Sequence, residues 1–408
     1  MSKRVLILGA GTGGTMLANR LTRSLPTGWE VVVVDRDDTH IYQPGLLLLP
    51  FGVYTPQSLV RPRLAQLLPS VQTVLGEVDL IEPDQRQVRL VDGTVLSWDL
   101  LVVATGARVA REALEGLTGP GWRENRTDFY DMEGSIAAGR LLNAMESGHL
   151  VVHLHELPIK CPVAPLEFTF LAEALMDQRG LRDKVEITFV TPLDAAFTKP
   201  VASRALGQLL DSRGVNVVAD FAAEKVEGSS MTAYDGRTLD FDLLISTPLH
   251  KGDAAVERSG LGDLLGFLPT DPNTLQSKAH PDIWALGDCT DLPTSKAGSV
   301  AHFQAEVLAD NLLGHMVGRP PESFFDGHAN CFIETGNGKA LLIDFNYTTE
   351  PLPGRYPLPG IGPFTLLEES VTNHLGKLAF KWLYWSELLP GKELPIGHHM
   401  QKEGKWTA

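Results

Sequence analysis

The feature that most constrains the fold is a glycine-rich turn between two short apolar segments near the start of the chain. Residues Arg4–Leu8 predict a buried strand, the turn Gly9–Gly14 follows it, and Thr15–Ser24 has helical spacing. A second apolar strand, Val31–Val34, then ends on Asp35. Strand, turn, helix, strand and acid in this order are typical of a βαβ unit that binds a dinucleotide.

Each glycine of the turn has a separate physical reason. Gly9 permits the tight turn, Gly11 lets the backbone approach a pyrophosphate, and Gly14 lets the helix pack closely on the strand, with Gly13 in the same loop. The N-terminus of the helix would face the phosphates, and Asp35 would bind the ribose hydroxyls. The alternative is a glycine-rich loop without a ligand.

Length, charge and cysteine content limit the function classes. A chain of 408 residues predicts two or three domains. The formal charge of −15 argues against a nucleic-acid partner, which needs a basic face. No apolar run approaches the roughly 20 residues that span a bilayer, and no room for an export signal precedes the first strand, so a cytoplasmic location is expected. With three cysteines in a reducing compartment, a pair that bridges would be catalytic rather than structural.

An internal repeat predicts a duplicated α/β architecture. Residues 92–102 align without gaps on residues 235–245, and six of the eleven positions are identical. Chance similarity of two hairpin–strand units is the alternative. The prediction is an α/β fold with two Rossmann-like dinucleotide-binding domains and a C-terminal α+β region for membrane or quinone contact. The expected boundaries are 1–110 with 275–320, then 145–250, and finally 321–408.

The second copy has lost its dinucleotide fingerprint. Where glycines should surround a pyrophosphate, the chain reads Glu156-Leu-Pro-Ile-Lys-Cys161-Pro-Val-Ala-Pro165, and its second strand ends without an acid. Prolines remove backbone donors and side chains prevent close approach. We therefore expect the second domain to bind NAD(P) poorly.

Further segments are predicted to complete a flavin site in the first domain. A buried strand ends in the turn Ala104–Gly106, another strand ends on Asp288, and a helix beginning at Gly298 would direct its amides at the reduced flavin ring. Lys296 would add positive charge there, unless it is simply exposed. The candidate cofactor residues are Gly9, Gly11, Gly13, Gly14, Asp35, Pro44, Ala104, Thr105, Gly106, Gly287, Asp288, Lys296 and Gly298.

The C-terminal segment 375–389 combines aromatic residues with lysines. Trp and Tyr side chains flanked by Lys suit the lipid headgroup boundary. Peripheral, monotopic attachment to the cytoplasmic face of a membrane is the interpretation, with a subunit interface or domain packing as alternatives.

Together these residues resemble the sulfide:quinone oxidoreductases, and flavocytochrome c sulfide dehydrogenase shares much of the pattern. The resemblance covers nearly the whole chain. Its flavin motifs are common to flavoproteins with two dinucleotide domains, whereas the cysteine pair is specific. It is carried by Gly9–Gly14, Asp35, Ala104–Gly106, Cys161-Pro-x-Ala-Pro-x-Glu167, Gly287-Asp288, Lys296 and Cys331.

The resemblance implies an FAD enzyme with a Cys161–Cys331 redox pair. Sulfide would attack the disulfide and leave a persulfide on one sulfur and a thiolate, assigned to Cys331, on the other. Two electrons would pass through FAD to a membrane quinone. Phe332 and Phe364 are the candidate quinone contacts.

Two groups are candidates for proton transfer. Glu167 would exchange a proton of sulfide or quinone, unless it only complements the helix dipole. His302 is a relay candidate, with a packed histidine as the alternative. No metal site is predicted, because His153 and His155 lack further ligands, and Cys289 is interpreted as buried packing.

One departure from the family pattern concerns the acceptor of the oxidised sulfur. Many members carry a third redox cysteine before the second domain, whereas residues 128–130 here are Asp, Phe and Tyr. A small thiol or a sulfur carrier protein is therefore a possible acceptor, and a homo-oligomer is expected. The rival functions are a type II NADH:quinone dehydrogenase, a dehydrogenase that delivers electrons to a cytochrome subunit, and a flavin-binding sulfur carrier or redox sensor without turnover.

Overall fold

A computed structural model of the chain describes residues 2–394 and 396–406. Its strands are, in chain order, β1 (Lys3–Leu8), β2 (Trp29–Asp35), β3 (Thr39–Ile41), β4 (Val60–Pro62), β5 (Gln72–Leu75), β6 (Val78–Glu82), β7 (Gln87–Leu90), β8 (Val95–Ser97), β9 (Leu100–Val103), β10 (Arg108–Val109), β11 (Arg126–Thr127), β12 (Gly148–Leu154), β13 (Val185–Val190), β14 (Asn216–Val218), β15 (Ala223–Glu227), β16 (Ser230–Ala233), β17 (Thr238–Asp240), β18 (Leu243–Thr247), β19 (His250–Lys251), β20 (Ile283–Ala285), β21 (Ala329–Gly336), β22 (Lys339–Phe345), β23 (Gly354–Leu358) and β24 (Gly362–Leu366).

The helices alternate with the strands in the first two thirds of the chain, as in other α/β proteins. They are α1 (Thr12–Arg23), α2 (Pro44–Leu48), α3 (Met132–Ala144), α4 (Ala164–Gln178), α5 (Pro200–Ser212), α6 (Ala254–Arg258), α7 (Gly298–Met316) and α8 (Val371–Leu383), which continues into a π-helical turn at Tyr384–Leu388.

The first sheet has the parallel order β20-β9-β1-β2-β5. Its strands are apolar on both faces, because both faces are covered. Val5 and Ile7 face a core shared with α1 and α7, whereas Leu6 and Leu8 face the antiparallel sheet β6-β7-β8. The glycine-rich turn Gly9–Gly14, predicted to be the phosphate-binding turn, therefore lies at the carboxyl end of a strand whose last four residues are buried.

The second sheet repeats this arrangement. Its order is β11-β18-β12-β13-β14, again parallel, with α4 and α5 on one face and the antiparallel sheet β15-β16-β17 on the other. The two similar sequence segments, 92–102 and 235–245, occupy equivalent places in the two sheets. The first ends in β9, which pairs with β1, and the second ends in β18, which pairs with β12. The α/β fold class is thus confirmed, and the domain boundaries stay a prediction.

The C-terminal region packs on both sheets. The hairpin β21–β22 lies against α4, and α8 lies against that hairpin and against β24. Within residues 2–394 and 396–406, no helix combines the length and the hydropathy needed to cross a bilayer.

Three residues of the C-terminal segment do not face outward as a lipid-boundary segment would require. Tyr384 and Trp385 are buried, and the Tyr384 hydroxyl lies 2.7 Å from Thr12 Oγ1 and 2.6 Å from His40 Nε2. Lys377 points inward as well. The interpretation of these three as membrane contacts is wrong, because the rest of the chain buries Tyr384 and Trp385, and Glu167 pairs with Lys377.

Candidate active site

The phosphate-binding turn leaves one open position above α1. A Cβ on Gly9, whose φ is +98°, would lie 2.5 Å from the Ala104 carbonyl oxygen, and a Cβ on Gly14 would lie 1.9 Å from the Gly9 carbonyl oxygen. In contrast, nothing lies within 4 Å of a Cβ on Gly11, and no side chain caps α1. Gly9 and Gly14 are thus needed for close packing, whereas Gly11 leaves room for a ligand. The free amides of α1 fit a pyrophosphate.

Asp35 lies where a ribose would bind, but it already has protein partners. Its carboxylate accepts hydrogen bonds of 2.6 Å from the Ala10 amide and 2.8 Å from the Arg36 amide, and it pairs with the Arg63 guanidinium. A carboxylate has about four acceptor positions, so a ribose hydroxyl can still be accommodated. Arg63 was missed from sequence, since its place in the fold follows from the β3–β4 pairing.

The flavin-facing turns also fit a bound cofactor. Gly106 and Gly287 have positive φ of +72° and +77°, and nothing lies within 4 Å of a Cβ on either. The Thr105 hydroxyl is buried without a hydrogen-bond partner among the described residues. Gly298, at the first turn of α7, is similarly open, and no side chain caps this helix. Open space next to unpaired polar atoms is what a polar cofactor requires.

Lys296 is buried rather than exposed. Its ammonium donates to the carbonyl oxygens of Asp288 at 2.9 Å and Thr290 at 2.7 Å, and lies 4.0 Å from the ring centroid of Phe267. The exposed alternative is therefore wrong. Burial raises the pKa of Asp288, and the charges of Lys296 and Lys160 oppose that shift. Lys296 thus places a positive charge beside Asp288, and backbone carbonyl oxygens accept hydrogen bonds from its ammonium group.

Cys161 lies on a strained turn between β12 and α4. Its φ is +51°, in the left-handed region that favours glycine, and its amide donates to the Lys296 carbonyl oxygen at 2.8 Å. Strain of this kind in a non-glycine residue is common at functional sites. The turn therefore brings Cys161 directly to the segment that precedes α7.

The structure places Cys331 in the main apolar cluster and packs the partly buried Cys161 against the same cluster. Cys331 lies on β21 opposite Ile343, and both thiols are free. Burial raises the pKa of Cys161 to about 12, the Glu167 carboxylate raises it too, and Lys377 lowers it. Burial also raises the pKa of Cys331, to which the charge of Cys161 contributes. Cys161 is thus near enough to Cys331 to influence the ionisation of the Cys331 thiol.

Glu167 forms a buried ion pair next to the cysteines. Its Oε1 lies 2.7 Å from Lys377 Nζ and accepts a hydrogen bond of 3.0 Å from the Glu334 amide, whereas Oε2 has no partner among the described residues. Although burial disfavours a buried ammonium, Glu167 and Cys161 raise the pKa of Lys377 above its ordinary value, so Lys377 stays charged. An unpaired carboxylate oxygen beside two thiols can accept or release a proton.

A second acid–base pair lies beside the first. The Glu334 carboxylate lies 2.9 Å from His374 Nδ1, and burial raises the pKa of Glu334. His374 and Lys377 are three residues apart on α8, which places both on one face of that helix. Neither Glu334 nor His374 was singled out from sequence. The only signal in the sequence was the three-residue spacing of His374 and Lys377, which indicates one face of a helix.

The two candidate quinone contacts lie together. The rings of Phe332 and Phe364 meet edge to face with centroids 5.1 Å apart. Gly376 of α8 faces them, since a Cβ there would lie 2.5 Å from Phe364. The Tyr54 hydroxyl is buried without a partner in the part of the chain that the structure describes, and the charges of Lys377 and Glu334 act on it. The region thus combines aromatic rings with unpaired polar atoms.

The remaining three residues singled out from the sequence are His302, Cys289 and Pro44. His302 is buried on α7 with Glu306 at 3.6 Å and the charge of Arg20 nearby, contacts that do not place it with the cysteine pair. Cys289 is buried, and its sulfur lies 3.2 Å from two carbonyl oxygens. Pro44, one of the candidate cofactor residues, begins the short helix α2. Across the described residues, no cluster of His, Cys, Asp and Glu has the arrangement of a metal site.

Comparison with known proteins agrees with this geometry. The family model for pyridine nucleotide-disulphide oxidoreductases matches residues 3–152. The mitochondrial sulfide:quinone oxidoreductase of Mus musculus is 28% identical over 95% of this chain and 86% of its own length. That of Dictyostelium discoideum is 26% identical with the same coverages of 95% and 86%.

Solved structures show the same fold. The sulfide:quinone oxidoreductase from Aquifex aeolicus superimposes with a TM-score of 0.81 at 20% identity, over 96% of this chain and 92% of that one. The resemblance seen in the motifs is therefore confirmed, and the chain is a homologue of the sulfide:quinone oxidoreductases with the α/β flavoprotein fold of the pyridine nucleotide-disulphide oxidoreductases.

Proposed function

We propose that this chain is an FAD-dependent sulfide:quinone oxidoreductase that works through Cys161 and Cys331. The observation that carries the proposal is that Cys331 and the partly buried Cys161 pack in the same apolar cluster, close to the Glu167–Lys377 ion pair. The homology supports the same reaction.

The residues around the phosphate-binding turn would hold FAD. Gly11 and the amides of α1 would bind its pyrophosphate, Asp35 the ribose, and the turns at Gly106 and Gly287 the part nearer the flavin ring. When bound, FAD accepts two electrons from one substrate and returns them to another.

The second domain offers no equivalent site for a nicotinamide dinucleotide. α4 begins with Ala164 and Pro165 where a fingerprint would have glycines, and Thr191 follows β13 in place of an acid. Proline removes an amide donor and fixes the backbone. This loss disfavours NAD(P)H as the donor and thus the rival NADH:quinone dehydrogenase.

The cysteine chemistry balances with sulfide as the donor. Hydrosulfide attacks one sulfur of the oxidised Cys161–Cys331 pair, the disulfide bond breaks, and a new sulfur–sulfur bond leaves a persulfide on Cys161 and a thiolate on Cys331. A small thiol then takes the outer sulfur, and the pair returns to the disulfide as two electrons pass to the quinone. Overall, hydrosulfide, a thiol, a proton and a quinone give a persulfide and a hydroquinone.

Local residues support these steps. Burial raises the pKa of both cysteines, and the ammonium of Lys377 opposes that rise and so favours the thiolate forms. The unpaired Oε2 of Glu167 can take up or supply a proton beside them. Phe129 and Tyr130 fill the region where many relatives have a third cysteine, which favours an external thiol as sulfur acceptor.

The decisive experiment is an anaerobic titration of the flavin spectrum, first with sulfide and separately with NADH. Bleaching of the flavin absorbance by sulfide, its recovery on adding a quinone, and no bleaching by NADH are the expected results. Bleaching by NADH with sulfide inert would overturn the proposal in favour of an NADH dehydrogenase. Bleaching by sulfide without recovery by quinone would favour a cytochrome partner or a sensor instead.

We also propose that an exposed apolar face on α8 attaches the protein to a membrane. Val371, Leu375 and Trp382 are exposed on this helix, and Leu358 and Ile361 are exposed on the hairpin β23–β24. Spacings of four and seven residues put the three helical side chains on one face. Gly376 of this helix faces Phe332 and Phe364, and Phe364 lies on the hairpin, so a lipid-soluble quinone would reach these two candidate contacts from the same side.

Replacing Trp382 and Leu375 by Glu is expected to weaken binding to phospholipid vesicles by about tenfold or more, because apolar area is no longer buried in the interface. Co-sedimentation measures the binding. Leu264→Glu is the matched control, because Leu264 is fully exposed away from α8. Reduction of a water-soluble short-chain quinone should not change. Equal vesicle binding by all three proteins would contradict the assignment of this face.

A further inference from the structure

A buried histidine next to the cysteine segment has no hydrogen-bond partner. The side chain of His250 is 0% exposed, and neither ring nitrogen is hydrogen-bonded to any of the described residues. Buried polar groups are nearly always paired, and one imidazole ring with both nitrogens unpaired calls for a ligand. The function described above does not use this residue.

His250 lies at the carboxyl edge of the second sheet. β18 ends at Thr247, next to Leu154 at the end of β12, and β19 begins at His250. Ligands of open α/β sheets bind at this edge. The His250 position is therefore in the region where a nicotinamide dinucleotide would dock if the second fingerprint were intact.

Two contacts connect His250 to the turn that carries Cys161. Its amide donates to the Pro158 carbonyl oxygen at 3.0 Å, and its ring meets the Tyr130 ring edge to face at 4.6 Å between centroids. The Tyr130 hydroxyl in turn donates to the Lys160 carbonyl oxygen at 3.0 Å. The ring is thus held beside the residues that immediately precede Cys161.

The charges around His250 favour a small anion. Lys160, Lys296 and Arg111 all act on it. Arg111 is paired with Asp128 and Asp131, and Lys296 with carbonyl oxygens. Lys160 donates to Gln43 Oε1 at 3.1 Å, and no carboxylate in the described part of the chain lies within ion-pair distance of it.

The same surroundings keep the imidazole neutral. Burial lowers the pKa of His250 well below its ordinary value, and the three cations lower it further. A neutral ring has one N–H donor and one acceptor nitrogen. The unpaired hydroxyl of Thr247 lies on the same strand end. The group can therefore donate a hydrogen bond to an anion without adding a charge of its own.

We propose that the N–H of His250 binds hydrosulfide and holds it for attack on the Cys161–Cys331 pair. The inference rests on the proposed function and specifies where the donor would bind, at the edge of the second sheet that lacks a dinucleotide fingerprint. His250 makes no bond to sulfur, and the exchange at the cysteines is as given above.

The test separates the two half-reactions by stopped-flow flavin absorbance. His250→Leu is expected to lower the second-order rate constant for reduction by sulfide by about 10- to 100-fold, the loss expected for one hydrogen bond to a charged group. Reoxidation by quinone should not change. His250→Asn, which keeps a donor, should recover most of the rate. An unchanged rate in His250→Leu would overturn the inference.

A matched control and a second readout complete the design. His153→Leu removes an equally buried histidine, which lies on β12 with Nδ1 3.1 Å from Ser246 Oγ, and should leave sulfide reduction unchanged. Independently of turnover, mass spectrometry of the reduced protein gives the alkylation rate of Cys161. His250→Leu should slow reaction with anionic iodoacetate more than with neutral iodoacetamide, and equal effects on both would count against an anion pocket. Failure of wild-type flavin to respond to sulfide would instead reject the proposed function.

Discussion

Replacing Cys161 or Cys331 by Ser is expected to lower sulfide-dependent quinone reduction on the order of 10³-fold or more. A serine cannot form the disulfide that hydrosulfide attacks, and neither cysteine has a substitute within the site. Because the two act as one unit, the double variant should be no worse than either single variant. Quinone absorbance under steady-state conditions measures the effect.

Cys289→Ser is the control for this prediction. Cys289 is buried away from the pair, and a serine hydroxyl can donate to the same carbonyl oxygens, those of Val103 and Leu286. This variant should keep normal flavin content and activity. Undiminished quinone reduction in Cys161→Ser or Cys331→Ser would show that the pair does not carry the reaction.

The second large effect concerns two glycines of the phosphate-binding turn. Gly14→Ala is expected to destabilise the protein by at least about 3 kcal/mol, because the new Cβ would lie 1.9 Å from the Gly9 carbonyl oxygen and backbone must move. Gly11→Ala should fold with nearly unchanged apoprotein stability, since nothing lies within 4 Å of its Cβ. Its FAD affinity should nevertheless fall about 10- to 100-fold through weakened hydrogen bonds to phosphate.

Two measurements separate these outcomes. Denaturant unfolding of the apoproteins reports stability, and a fluorescence titration with FAD reports affinity. A Gly11→Ala protein that binds FAD as tightly as wild type would argue that the pyrophosphate lies elsewhere. A Gly14→Ala protein of normal stability would contradict the packing described for α1.

Sequence alone predicted the parts of the molecule that depend on residues close together in the chain. The turn at Gly9–Gly14 needs particular residues within a few positions, so its pattern is visible, and the loss of the second fingerprint is visible for the same reason. The cysteine pair came only from the family resemblance. Nothing local relates Cys161 to a strand in the C-terminal hairpin.

The residues that sequence missed are those paired across long separations. Lys377 was interpreted as a flank of a lipid-facing segment, but its partner Glu167 lies on α4 in another domain. Tyr384 is buried, and its hydroxyl lies within hydrogen-bond distance of both Thr12 Oγ1 and His40 Nε2. Periodicity shows that a helix has apolar faces and cannot show which face another part of the chain will cover. His250 gave no signal at all, since an unpaired imidazole is recognised only when its surroundings are known.

The path of the C-terminal segment has a mechanical consequence. Leu375 and Trp382 are exposed on one side of α8. At the end of the helix, the Tyr384 hydroxyl is hydrogen-bonded to Thr12 in the turn Gly9–Gly14. If α8 attaches the protein to a membrane as proposed, this segment connects the lipid surface to the turn that would hold the pyrophosphate of FAD. Proteolytic cleavage within it should then weaken vesicle binding and FAD binding together.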